Sequence, residues 1–280
     1  MGITVNTNIA AIGAYQNLNK TSDAFNTSLS RLSSGMKINT AADDAAGYVI
    51  SQQLQRQSRS YGVAINNAQD GVSVLQTAQG ALNQTTSILQ RMNELAMRAA
   101  NGSASDNTAA TADNQEFTAL KSQLDQISAS TVFGNANLLG GAYNATFQVG
   151  TDATSASTVS VAINNGTANK GFSSTDLGVN ALDISTQAGA SSSLATIKTA
   201  LDNVTQAQST MGAAQNRLTV IATNLGVGQE NLKAANSRLV DTDMAQEMTN
   251  FSSLQILKQV GTSMLAQAQQ APQTILKLVQ

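Results

Sequence analysis

The sequence contains no cysteine and no histidine. The first absence excludes disulfides, thiolate chemistry and cysteine-ligated zinc, and the second removes the commonest general base and metal ligand. Tryptophan is missing too, aromatic residues make up 4%, and Pro272 is the one proline. Material for a compact aromatic core is therefore scarce. Charged residues amount to 11%, less than half the share usual in globular domains. The formal net charge is −2 with no block of lysine or arginine, which argues against a nucleic-acid face. No apolar run reaches the length of about 18 residues that a membrane span requires. The first twenty residues lack a basic cluster ahead of an apolar core and do not read as a secretory signal. Met1-Gly2 does not make a myristoylation site, because Asn6 stands where that pattern needs Ser or Thr. A carboxylate-dependent hydrolase is the enzyme class that these absences leave open. No catalytic, cofactor-binding or metal-binding residue is assigned, and Asp43-Asp44 reads as a helix start rather than a cation site.

What the chain has instead is helical periodicity. Ile197, Val204, Met211, Leu218, Leu225, Leu232 and Leu239 recur at every seventh position, the mark of a long helix that buries one seam against partner helices. Leu54, Tyr61, Ala68, Leu75, Leu82, Leu89 and Ala96 form a matching row in a second long helix, which is its natural antiparallel partner. Gln208, Gln215, Gln229 and Asn236 continue the flanking phase that Leu194 and Leu201 begin. Such polar positions either fix register or mark a seam that narrows to one neighbour. Residues 1–36 carry Ile9, Ile12, Leu18, Phe25, Leu29 and Leu32 at helical spacing and stop at Gly35. Thr40 to Asp44 starts the next helix, Asn101-Gly102 ends it, and Phe117, Leu120, Leu124 and Ile127 predict a shorter one. Residues 146–149 and 158–163 alternate as strands, Asn165-Gly166 signals a turn, and the polar stretch around them is expected at the surface. The final segment, 244–280, carries Phe251, Leu254, Ile256, Leu257, Val260, Met264 and Leu265 over more than one helix face, so it needs several neighbours. Either the two ends pair with each other, or other copies of the chain complete them. On the second reading the ends lack intramolecular cover and become ordered only on polymerisation.

Several of these stretches resemble the bacterial flagellins. Ser34-Gly35-Met36-Lys37-Ile38-Asn39 followed by Ala41-Ala42-Asp43-Asp44-Ala45-Ala46-Gly47 is similar to the family's N-terminal signature. Gly212 to Leu218, Ala234 to Leu239, and Gln255 to Ala268 resemble its C-terminal helices. The likeness covers about residues 1–140 and 190–280. It implies a structural subunit that polymerises into the extracellular flagellar filament, without cofactor or enzymatic activity. The expected fold is mainly α, with long antiparallel helices in an elongated bundle and a small β-hairpin region between the two arms. Residues 1–43 and 235–280 would form the inner-filament coiled coil, 44–130 and 190–234 a helical rod, and 131–189 a loop-rich surface segment. Only about 50 residues separate the arms, so large outer domains are missing.

By the same resemblance, the partners would be other subunits, an export chaperone at the C-terminal segment, and filament cap and hook-junction proteins. Toll-like receptor 5 would contact Gln90, Arg91, Glu94, Leu95 and Glu116, with Arg91 and an exposed Leu95 as the anchor pair. Asn93 stands where a second arginine is common in the family. Assembly would rest on Ile9, Ile12, Leu18, Phe25, Leu29 and Leu32 at one end and Phe251, Leu254, Leu257, Val260, Met264 and Leu265 at the other. A hook–filament junction protein is the alternative within the same machinery. Polar residues 151–193 read as a plain loop or as acceptors for O-linked glycans.

Overall fold

The computed structural model describes residues 7–101, 107–152, 154, 157–167 and 169–279, with the side chains of 107–109 and 271–279 set aside. Met1-Gly2, Asn6 and Gly102 lie outside the described residues. The elements are α1 (Ile9–Ser34), α2 (Ala45–Ala100), α3 (Asn107–Ser130), β1 (Val132–Phe133), β2 (Ala136–Asn137), β3 (Tyr143–Gln148), β4 (Thr158–Ile163), α4 (Gln187–Val240) and α5 (Met244–Val279). They fall into two compact units. One comprises residues 1–56 and 231–280, the other 57–230.

The helix boundaries follow local chemistry. Asn8 caps α1, its side-chain oxygen accepting from the Ala11 N–H, and Gly35 closes it at φ 72° with its N–H bonded to the Arg31 carbonyl. Only glycine adopts that left-handed cap without a Cβ penalty. Asp44 starts α2 by accepting the Ala46 and Gly47 N–H groups. Asp43 meanwhile accepts those of Asn39 and Thr40, bonds that hold its carboxyl below the ordinary range. Both acids are thus engaged as helix-start residues. α2 ends at Ala100, immediately before Asn101.

In the 57–230 unit α2 and α4 run antiparallel. The Gln229 amide donates to the Ser58 carbonyl at 2.9 Å and the Gln208 amide to Asn83 Oδ1 at 3.0 Å. Between these bonds Gly71 lies against Leu218, where an added Cβ would come within 2.9 Å of the leucine Cδ1, and within 3.2 Å of the Phe147 ring. Two of the polar flanking positions therefore tie the helices together.

The seams are buried unevenly. Ile197, Val204, Met211 and Leu218 are enclosed, as are Ala68, Leu75, Leu82, Leu89 and Ala96. Leu225, Leu232 and Leu239 are only half-buried, like Leu54 and Tyr61. The enclosed part is where α3 and the sheet also pack, supplying Phe117, Leu124, Val159, Val161 and Ile163.

The two longer strands pair antiparallel, Tyr143 opposite Ile163 and Gln148 opposite Thr158. The Asn165-Gly166 turn follows β4, with Gly166 at φ 88°. Residues 171–186, expected at the surface, bury Phe172, Leu177, Val179 and Ile184 in the common core. Specific bonds hold this irregular stretch. The Ser174 N–H and hydroxyl both donate to Asp125, and Lys121 Nζ donates to the carbonyls of Asn180 and Leu182.

One backbone crossing is especially tight. Phe172 donates its N–H to the Leu139 carbonyl, and a Cβ on Gly171 would stand 2.2 Å from that same oxygen. Replacing Gly171 with alanine is expected to force the two chains apart, breaking this bond and shifting Phe172. The loss should reach about 2–4 kcal/mol, combining strain and a loosened core. Chemical denaturation checks it, and an unchanged midpoint would refute the packing account.

Candidate functional site

In the unit formed by residues 1–56 and 231–280, α1 and α5 pair antiparallel along their length. At one end the Asn8 amide donates to the Ala268 carbonyl at 2.7 Å. Leu18 lies against Gly261. Farther along, Phe25 stacks on Phe251 with ring centroids 4.8 Å apart, and Lys258 Nζ sits 4.7 Å from the centre of the Phe25 ring. At the other end the buried Ser28 hydroxyl donates to the buried Glu247 carboxylate. Hydrogen bonding and ring contacts thus support an otherwise aliphatic seam. The chain termini therefore have intramolecular cover on one face, contrary to the expectation that they lack it.

The assembly residues divide accordingly. Leu18, Phe25, Leu32, Phe251, Leu254 and Leu265 are half-buried. Ile9, Ile12, Leu29, Leu257, Val260 and Met264 are exposed, between 49% for Ile12 and 75% for Ile9. Ile256, part of the same crowded stretch but not assigned to assembly, is 63% exposed and joins this second group. A groove of about 500 Å³ runs between the helices, its walls made by Gly13, Ala14, Leu18, Leu257, Val260 and Met264. The small residues on α1 leave this space open.

The other residue set lies on α2 and α3 in the 57–230 unit. Arg91 donates to both carboxylate oxygens of Glu116, at 2.7 and 3.1 Å, and to Glu94 at 3.1 Å. The Glu116 bonds, then the Glu94 bond, push the guanidinium further above its ordinary value, and Arg91 in turn holds the Glu116 carboxyl below its own. Arg98 adds a second tie between these helices, 2.9 Å from Asp113. Gln90, Arg91 and Glu94 are exposed and Glu116 is half-buried. Leu95 is neither: it is fully buried in the core beside the α3 face. The helix turn that presents Arg91 to solvent directs Leu95 inward, so the pair does not share an outer face.

Long paired helices with two small antiparallel sheets and an exposed apolar face define a mainly α-helical protein. Known proteins place it more narrowly. The bacterial flagellin N-terminal helical region matches residues 5–144, and the bacterial flagellin C-terminal helical region matches residues 194–279. Flagellin A of Vibrio anguillarum is 34% identical over 380 aligned positions, covering all of both chains. The flagellin of Bacillus subtilis is 37% identical over 302 positions, covering 98% of this chain and 99% of that one. Among solved structures, a Vibrio parahaemolyticus chain assigned as a flagellar hook-associated protein superposes with a TM-score of 0.58 at 14% identity. It covers 71% of this chain and 100% of that one, which bears on the fold alone.

The chain belongs to the bacterial flagellin family. It is a structural subunit of the extracellular flagellar filament and not an enzyme.

Proposed function

We propose that the α1–α5 pair is the element through which the subunit polymerises. The observation that carries this reading is the exposed apolar side chains on the pair, among them Ile9, Ile12, Leu29, Ile256, Leu257, Val260 and Met264. Each is about half exposed or more, so covering these seven would contribute roughly 5–10 kcal/mol. Association costs an estimated 4–15 kcal/mol once for each subunit that joins. One neighbour is therefore marginal, and a subunit touched by several neighbours is stable. A filament supplies them. On this reading residues 1–43 and 235–280 form the inner filament layer, 44–130 and 190–234 the rod around it, and 131–189 the outer part. Family membership at both ends of the chain favours a filament subunit over a hook–filament junction protein. The exposed face of α5 would also serve the export chaperone before assembly, and filament cap and junction proteins would meet the same terminal pair.

Limited proteolysis before and after seeded, salt-induced polymerisation tests the assembly role. Cleavage within α1 and α5 should slow sharply in the polymer, while cleavage in the 57–230 unit changes less. Equal cleavage of α1 and α5 in both states would refute it.

A second reading rests on the surface cluster of Gln90, Arg91, Glu94 and Glu116. We propose it as the contact for Toll-like receptor 5, with Leu95 acting beneath it as packing. Two carboxylates hold the Arg91 guanidinium in one orientation, which lowers the entropy lost on binding. Replacing Arg91 and Glu116 together with alanine should lower reporter-cell signalling while barely moving the melting temperature, because exposed ion pairs add little stability. Full signalling by the double variant would exclude the cluster.

A further inference from the structure

The methionines of this chain divide sharply by exposure. Met92 and Met211 are 0% and 1% exposed in the core of the 57–230 unit, whereas Met97, Met244, Met248 and Met264 are exposed, and of these Met264, at 55%, is the one that forms a wall of the α1–α5 groove. Its neighbours on that wall, Leu257 and Val260, are aliphatic, and its thioether is the one sulfur in the groove lining, Met244 and Met248 lying elsewhere on α5. We propose that Met264 is a site of reversible oxidation that removes unassembled subunits from polymerisation. This rests on the assembly reading above.

The chemistry needs an oxidant such as hydrogen peroxide. The sulfur lone pair attacks one peroxide oxygen, the O–O bond breaks, and the sulfur is oxidised by two electrons to the sulfoxide. The second oxygen leaves as water after taking up a proton. The sulfoxide is a polar, chiral group where a flexible apolar side chain stood, and sulfoxide reductases reverse the change. Covered by a neighbouring subunit, that oxygen would exchange water for a mainly apolar groove in which Asn17 and Thr21, on the facing helix, are the polar side chains, and this desolvation opposes docking. In the free subunit it stays in water. Oxidation therefore spares the fold and acts on assembly. Once polymerised, the groove excludes the oxidant, and the thioether is protected.

The test treats monomer and preformed filament with hydrogen peroxide, maps the oxidised peptides, and measures seeded polymerisation of the treated monomer. Met264 should gain oxygen in the monomer and resist it in the filament, with Met92 and Met211 unmodified in both. Treated wild-type monomer should lose most of its polymerisation, Met264→Leu should keep it, and Met248→Leu should not protect. Sulfoxide reductase should restore the treated wild type, and untreated Met264→Gln should polymerise poorly with its helical circular dichroism intact. Equal oxidation of Met264 in monomer and filament would overturn the proposal, as would equal loss of polymerisation by wild type and Met264→Leu. Equal cleavage of α1 and α5 in monomer and polymer would overturn the assembly reading itself, and the proposal with it.

Discussion

Replacing Leu257 and Val260 together with aspartate should abolish filament formation while leaving a folded subunit. Both side chains are about half exposed, at 51% and 50%, and both stand on the groove wall of the α1–α5 pair. In the free subunit the new carboxylates remain hydrated. In a polymer they would be taken out of water without a cation in the groove, whose lining is apolar apart from the uncharged Asn17 and Thr21. A cost of at least about 2 kcal/mol for each unpaired polar group raises the critical concentration by roughly a thousandfold. Sedimentation after seeding measures this directly. Wild-type polymer yield from the double variant would show that the groove is not a contact surface. The half-buried Phe25–Phe251 stack and the Ser28–Glu247 bond hold the pair together elsewhere, so helix content should change little.

Leu95→Ala should have the largest effect on stability among the residues proposed for receptor contact. Its side chain is fully enclosed, and emptying such a site costs about 2–5 kcal/mol because the surroundings collapse only partly. For a unit of this size that lowers the melting temperature by roughly 5–15 °C. Thermal unfolding followed by circular dichroism reads the shift, and a change of less than a degree would contradict the burial. The result also bears on receptor work. A Leu95 variant that loses signalling does so with a weakened α2–α3 core, whereas Arg91 and Glu116 sit at the surface and report on contact itself.

The contrast between Arg91 and Leu95 shows where periodicity stops being informative. The rows through Leu75, Leu82 and Leu89 and through Ile197, Val204 and Met211 were legible because each repeats every two turns and faces one partner. The antiparallel pairing followed from them. Phe117, Leu120 and Leu124 announced α3, but their spacing says nothing about which face of α2 it covers. α3 widens the buried arc of α2 to include Ile88, Leu95 and Ala99, and that widening has no signature in α2 alone.

The irregular segment hid its contribution for a related reason. Phe172, Val179 and Ile184 are fully buried, yet they lie at no constant interval. Asp125, Lys121 and backbone carbonyls hold them, so neither the helical nor the strand period appears. At the termini the residues named both possibilities, pairing with each other or completion by other copies. The structure shows the pairing in Leu18, Phe25 and Phe251, while Ile9, Ile256 and Val260 remain uncovered. A wide apolar arc in sequence cannot be divided into an inner and an outer half until a partner helix is placed on it.

Two helices with seven-residue repeats can, in principle, slide past each other by one repeat and bury much the same side chains. Gly71 makes those alternatives unequal. The row that contains it reads Ala64, Gly71, Ala78, and Leu218 rests where the glycine leaves room for it. Slipped by one repeat in either direction, Leu218 would face the methyl group of Ala64 or Ala78 and have to turn its side chain aside, and the Gln229–Ser58 and Gln208–Asn83 bonds would be lost. A single missing methyl thus acts as a vernier mark. It selects one alignment from a near-degenerate set, which matters for a long chain that must find the same alignment in every copy it contributes to a polymer.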